Sequence, residues 1–216
     1  ATHDHINVYP THEEYLSPFR QLLAILPADG LLVTGVETHA LALSTEYAGR
    51  TVTYGLEDAE WYAANITYSE VSAFDLMHNG AKVITLSTKL LGAHNIENIL
   101  GISAMLLEKG LLTPEELAEG VKTFEGVKRR MVYLSPASTV AVYEGFGSSY
   151  EKAKSAMAAM KLHFPNRRLV VVFEPHTFTW RNRAALAQYA DAFTGADKVF
   201  IYEHATQGAG THAQLT

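Results

Sequence analysis

"LLGAHNIENILG", residues 90–101, is where the reading of the fold turns. Before it the pattern is β-rich. After its first residues, apolar side chains recur at helical spacing through Ile96, Ile99, Leu100, Leu106 and Leu107, until Gly110 stops them. This helix opens with Gly92, His94, Asn95 and Asn98, more hydrogen-bonding groups than one cap requires. Gly92 suits a tight backbone turn. Asn95 and Asn98, three apart, are neighbours on a helix surface. Each carboxamide offers a donor and an acceptor, the pairing that an adenine edge or a phosphate-linked network takes. The plainer reading makes Asn95 a cap and Asn98 a solvated first-turn residue, and the two residues taken alone favour it.

Upstream, Thr11 and Glu14 form a capping box, and Tyr15, Phe19, Leu22, Leu23 and Leu26 extend a helix to Pro27. "LLVTG" (31–35) reads as a buried strand, "HALALSTEYA" as a helix and "RTVTYGL" (50–56) as a second strand. Residues 65–92 read as β-rich, with a hairpin turn at Asn79-Gly80. Downstream, Thr113 caps a helix that has Pro114 at its first position. The basic run Lys128, Arg129, Arg130 marks an expected domain boundary. Beyond it, "TVAVYE" (139–144), a helix over 149–164, "LVVVFE" (169–174), a helix over 182–193 and "KVFIYE" (198–203) alternate as in a parallel sheet covered on both sides.

The 216 residues carry a net charge of −6 and no cysteine. The acidic balance argues against a nucleic-acid partner. Disulfides and thiolate metal sites are excluded, and a reducing cytoplasm is compatible. No signal peptide or membrane span is expected. The abrupt start "ATHDHINVYP" and the trailing "THAQLT" read as an incomplete chain.

Four further groups can carry chemistry. His3 and His5, with Asp4 between them, suit a divalent metal, although an H-x-H also arises by chance in an exposed loop. Lys128, Arg129 and Arg130 suit phosphate oxygens, or form a solvated linker. The loop "EGFGSSYEK" (144–152) enters a helix and offers amides to an anion, but it lacks a dinucleotide fingerprint. "EPHTFTWRNR" (174–183) leaves the carboxyl end of a strand. There His176, Arg181 and Arg183 suit a carboxylate or phosphate, with Trp180 as an apolar platform.

In order, these pieces resemble the Mur ligase superfamily: G-x-H-N-x-x-N before an apolar helix, F-x-G-x-x-R-R thirty residues on, then strand–loop–helix. "GVKRRM" and "EPH" are most similar to its murein peptide ligase branch, and the muramate–alanine ligase branch is second. The resemblance implies an α/β fragment: part of a central ATPase domain (1–127), then a Rossmann-like C-terminal domain (128–216). It implies an ATP- and magnesium-dependent ligase of peptidoglycan recycling in the cytoplasm. Such an enzyme activates UDP-N-acetylmuramate as an acyl phosphate and joins it to a small peptide, L-Ala-γ-D-Glu-meso-diaminopimelate. By position His5 matches a magnesium ligand, Asn95 and Asn98 line the nucleotide pocket, and Arg130 reaches ATP. His176, Arg181 and Arg183 are the expected readers of the peptide. The family's phosphate loop is not in these residues, so this stretch alone should not turn over. Glu144 keeps one acid of the usual pair, while Gly145, Ser148 and Ser149 replace the other acid and a His-His pair. A non-catalytic Mur-like binding protein and an unrelated metal hydrolase built on His3 and His5 are the alternatives.

Overall fold

The computed structural model describes residues 8–175, 180 and 186–202. The chain forms two compact units: Ala1–Thr67, Ala73–Thr88 and His94–Thr123 make the first, and Tyr68–Ser72, Lys89–Ala93 and Phe124–Thr216 the second.

In the first unit, α1 (His12–Ile25) starts where a capping box satisfies two end amides. Thr11 Oγ1 accepts from the Glu14 N–H at 3.2 Å, and the Glu14 carboxylate accepts from the Thr11 N–H at 2.9 Å. The helix buries none of its residues fully, and Leu22 and Ile25 stay exposed. Strand β1 (Leu31–Gly35), helix α2 (Thr38–Ser44) and strand β2 (Arg50–Gly55) follow. β1 and β2 pair in parallel, from Leu31 opposite Arg50 to Gly35 opposite Tyr54. β3 (Trp61–Thr67), β4 (Ser72–His78) and β5 (Ala81–Thr88) extend the sheet in the order β1-β2-β3-β4-β5. The Asn79-Gly80 hairpin is where the sequence places it, and both residues take the positive φ (49° and 85°) that such a turn requires. Asn65, at φ 52°, marks a shift of register between β3 and β4.

α3 (Ala93–Glu108) turns Ile96, Ile99, Leu100, Ser103 and Ala104 into the core, positions spaced as one helical face. α4 (Pro114–Thr123) packs on β5. At the far end of α3, Glu108 ties three strands together. It accepts from Arg50 of β2 at 2.5 Å and from the Trp61 indole N–H of β3 at 3.0 Å, and it lies 3.5 Å from His78 of β4. Trp61 and His78 stack 4.1 Å apart and 8° from parallel.

The second unit holds a small antiparallel pair, β6 (Arg130–Tyr133) with β7 (Tyr143–Gly145). Helix α5 (Tyr150–His163), strand β8 (Val170–Phe173), helix α6 (Leu186–Ala192) and strand β9 (Lys198–Ile201) follow. β8 and β9 pair in parallel, as their β-branched composition predicts, and α5 packs with α6. The core gathers on Trp180, which is fully buried with Ala153, Ala192 and Phe193, against Phe173 and Tyr189.

The expected strand over 139–144 is shorter than its composition suggests. Ser135 Oγ donates to the Val140 carbonyl and accepts from the Val142 N–H, so those residues close a loop and only Tyr143–Gly145 is strand. That strand pairs antiparallel with β6. The sheet of β8 and β9 also shows an open face, with Val172 80 % exposed, where cover on both sides was expected.

Candidate functional site

The amide-rich start of α3 takes its shape from Gly92, whose φ of 97° only glycine adopts without strain. Because the helix begins at Ala93, Asn95 sits inside the first turn and is not the cap. With Ile96, Ile99 and Leu100 on the buried face, Asn95 is half-buried and Asn98 exposed. Asn98 Nδ2 lies 3.4 Å from Asn95 Oδ1, so the two carboxamides share one patch, as their spacing predicts. A patch of this kind presents donors and acceptors together, the requirement for a nucleobase edge.

Also in the first unit, a hollow of about 630 Å³ opens past the carboxyl ends of β1 and β2. Val36, Leu41 and Leu56 give it an apolar lining, and Glu57, Asp58 and Glu97 contribute carboxylates. Carboxyl ends of parallel strands are where open α/β sheets meet ligands. Three acids beside that wall disfavour a phosphate and suit a cationic or neutral group. The sequence reading missed this hollow. Its signal was the Glu57-Asp58 pair directly after a strand.

Arg130, the first residue of β6, is exposed, and its guanidinium has no partner among the described residues. Neighbouring Arg129, held at φ 62°, reaches Glu144 at 3.7 Å and lies over the Phe146 ring at 5.0 Å. Thus of the basic run, Arg129 is engaged within the second unit, whereas the Arg130 side chain is not engaged among the described residues. In the loop after β7, Lys152 Nζ donates to Ser148 Oγ at 2.9 Å, and the Trp180 indole N–H donates to the Gly147 carbonyl at 2.8 Å. Trp180 is therefore a core residue, and the expectation of an apolar platform at that position is corrected: none of its surface is open to a ligand.

His5, His176, Arg181 and Arg183 lie outside the described residues, as do His3 and Asp4. Among the described residues no group of three or more acidic or histidine side chains is placed to hold a metal ion, and no helix is long and apolar enough to cross a membrane.

Residues 1–106 match the family model described as the Mur ligase middle domain. The UDP-N-acetylmuramate–L-alanine ligase of Hydrogenobaculum sp. (strain Y04AAS1) is 27% identical over 202 residues, which are 93% of this chain and 44% of that protein. The crystal structure of the UDP-N-acetylmuramate–alanine ligase from Thermotoga maritima superposes with a TM-score of 0.75 at 24% identity, covering 93% of this chain and 44% of that one. A murein peptide ligase from Psychrobacter arcticus superposes with a TM-score of 0.55 at 21% identity over 87% of this chain and 40% of that one. The chain thus spans less than half the length of these proteins. Over residues 1–106 the chain is similar in sequence to the Mur ligase middle domain, and its mixed α/β fold is shared with these ligases.

Proposed function

We propose that the chain supplies the ATP-binding central domain (1–127) and the C-terminal domain (128–216) of a cytoplasmic ligase that joins L-alanine to UDP-N-acetylmuramate. The observation that carries the ligase reading is the carboxamide patch. Asn95 and Asn98 stand side by side in the first turns of α3, Asn95 half-buried at the edge of the buried stripe and Asn98 exposed, at the positions where the resemblance places a nucleotide contact. Alanine as the amine is supported by the names of the curated relatives, which align along more than nine-tenths of the chain. The murein peptide branch, the first expectation from "GVKRRM" and "EPH", has fold similarity behind it and is the second reading.

The donor types suit ATP: two carboxamides for the base and, as the resemblance implies, for an anionic oxygen the Arg130 guanidinium, which has no partner among the described residues. ATP, when bound, supplies the phosphoryl group that activates the muramyl carboxylate. In this reading Asn95 and Asn98 orient the base and Arg130 neutralises negative charge, so the contribution of these side chains is positioning and electrostatics. Magnesium finds no donor set among the described residues, and His5 is its proposed ligand. His176, Arg181 and Arg183 are the proposed grip on the carboxylate of the incoming amine.

The test is phosphate release by the longest natural protein containing this chain, with UDP-N-acetylmuramate and either L-alanine or the tripeptide. Turnover with alanine supports the proposal, and turnover with the tripeptide alone replaces it by the second reading. No turnover with either amine, with ATP still bound, makes the protein a non-catalytic relative.

A further inference from the structure

His163, in the last turn of α5, is 5 % exposed and has both ring nitrogens engaged. The Gly92 N–H donates to Nε2 at 2.8 Å, so that nitrogen carries no proton. Nδ1 lies 2.6 Å from the Ser69 carbonyl, which can only accept, so Nδ1 carries the proton. One arrangement satisfies both contacts: the neutral ring in its Nδ1–H tautomer. The Tyr68 ring meets the imidazole edge-on at 5.4 Å. Ser69 belongs to the Tyr68–Ser72 segment and Gly92 to the Lys89–Ala93 segment, both parts of the second unit that come from the first half of the sequence.

Gly92 immediately precedes α3 and has no side chain with which to cap it. A buried amide at a helix start needs a partner, and an ordinary N-terminus finds one in a neighbouring Ser, Thr or Asp. Here a ring 71 residues away takes that place.

We infer that His163 is the positioning residue for the Gly-Ala-His-Asn turn: as a neutral Nδ1–H imidazole it joins Gly92 and Ser69 in one latch and fixes the backbone from which α3 starts. Its meaning for nucleotide binding rests on the function proposed above, because Asn95 lies three residues beyond the latched amide. His163→Gln leaves a carbonyl able to accept from Gly92, whereas His163→Leu leaves none.

The experiment is nuclear magnetic resonance on the 216-residue chain in mildly alkaline solution, followed by ATP titration of the longest natural protein containing it. Long-range nitrogen–proton correlations are expected to show Nδ1 protonated and Nε2 bare, with the Gly92 amide protected from exchange. An Nε2–H tautomer, or a Gly92 amide exchanging as fast as one in an open loop, overturns the latch. In His163→Leu the Gly92 amide loses protection and ATP binds roughly threefold to tenfold more weakly, and His163→Gln restores much of both. Equal ATP affinity in parent and His163→Leu overturns the positioning role. If the parent itself binds no ATP, the nucleotide reading fails, while the tautomer and the Gly92 amide still decide the latch. Should His163→Leu fail to fold, the parent spectrum and the Gln variant decide it.

Discussion

Gly101 lays the backbone of α3 directly against the Tyr54 ring of β2: a β-carbon at position 101 would stand 2.9 Å from that ring. Three adjacent ring atoms, Cζ, Cε1 and Cε2, lie within 3.2 Å of that point, so the ring or the helix must shift to admit a methyl group. Gly101→Ala is therefore expected to destabilise the chain by about 1–3 kcal/mol through overpacking. Gly120, in the middle of α4, has nothing within 4 Å of its β-carbon position. There alanine should stabilise by about 0.5–1 kcal/mol through helix propensity. Urea midpoints of the two variants should move in opposite directions. A shared direction would sink the packing argument.

Removing Glu108 strands two partners at once. Its carboxylate accepts the indole N–H of buried Trp61 and pairs with Arg50. Burial pushes its pKa up, but bonds from Trp61 and Arg50 and the nearby charges of Arg50 and His78 outweigh that and hold it below the usual carboxylate value. Glu108→Ala should cost about 1–3 kcal/mol, chiefly from the unsatisfied indole. Thermal unfolding of Glu108→Ala beside Arg50→Ala separates the two losses, because the Arg50 guanidinium is exposed and its deletion should cost less.

Acid sensitivity is expected at Asp75. The Lys82 ammonium first, then the Asn65 amide and Thr85 hydroxyl, hold its carboxyl well below the ordinary range. The folded value is lower than the unfolded one, so the unfolded chain binds more protons between the two, and stability rises with pH there. The contribution is complete above the unfolded value of about 4 and is lost as pH falls below it. Parent and Asp75→Asn should accordingly differ at neutral pH and converge in acid. A gap that does not narrow on acidification removes the assignment.

The junction near residues 124–129 should be the first point of proteolytic attack. Phe124 and Val127 are exposed, Gly126 and Arg129 take positive φ, and β6 begins only at Arg130. Trypsin is expected to cut after Lys128 or Arg129 before it reaches α3 or β8. Early fragments ending inside 96–108 or 170–173 would place the boundary elsewhere.

Asn95→Ala, in the longest natural protein containing this chain, should raise the Michaelis constant for ATP roughly threefold to tenfold, the cost of one hydrogen bond. Arg181→Ala and Arg183→Ala should instead weaken the amine substrate and leave ATP alone. Variants that handle the amine like the parent would remove the 176–183 segment from the site.

What the sequence disclosed was what neighbours in the chain decide. The Thr11–Glu14 box, the Asn79-Gly80 turn and the apolar stripe of α3 each depend on residues a few positions apart, and each is present. The strand expected over 139–144 failed because Ser135, outside the window, takes hydrogen bonds that a sheet would have used. Trp180 read as a surface platform because its basic neighbours are polar, yet a carbonyl 33 residues away draws it inward. His163 gave no local sign at all, since its partners lie 71 and 94 residues off. For the site, the Asn95–Asn98 pairing was legible from spacing, whereas the acidic hollow needs three separate segments to meet.

The two tryptophans of the chain fall one to each unit, Trp61 in the first and Trp180 in the second. Both are buried, with the indole of one held by a carboxylate and the other by a backbone carbonyl. Each unit thus carries its own fluorophore. Replacing Trp61 or Trp180 by phenylalanine leaves a single emitter that reports only one half of the chain. A red shift in the emission of each variant during urea unfolding would then give two separate melting curves, and their coincidence or separation would tell whether the units unfold as one.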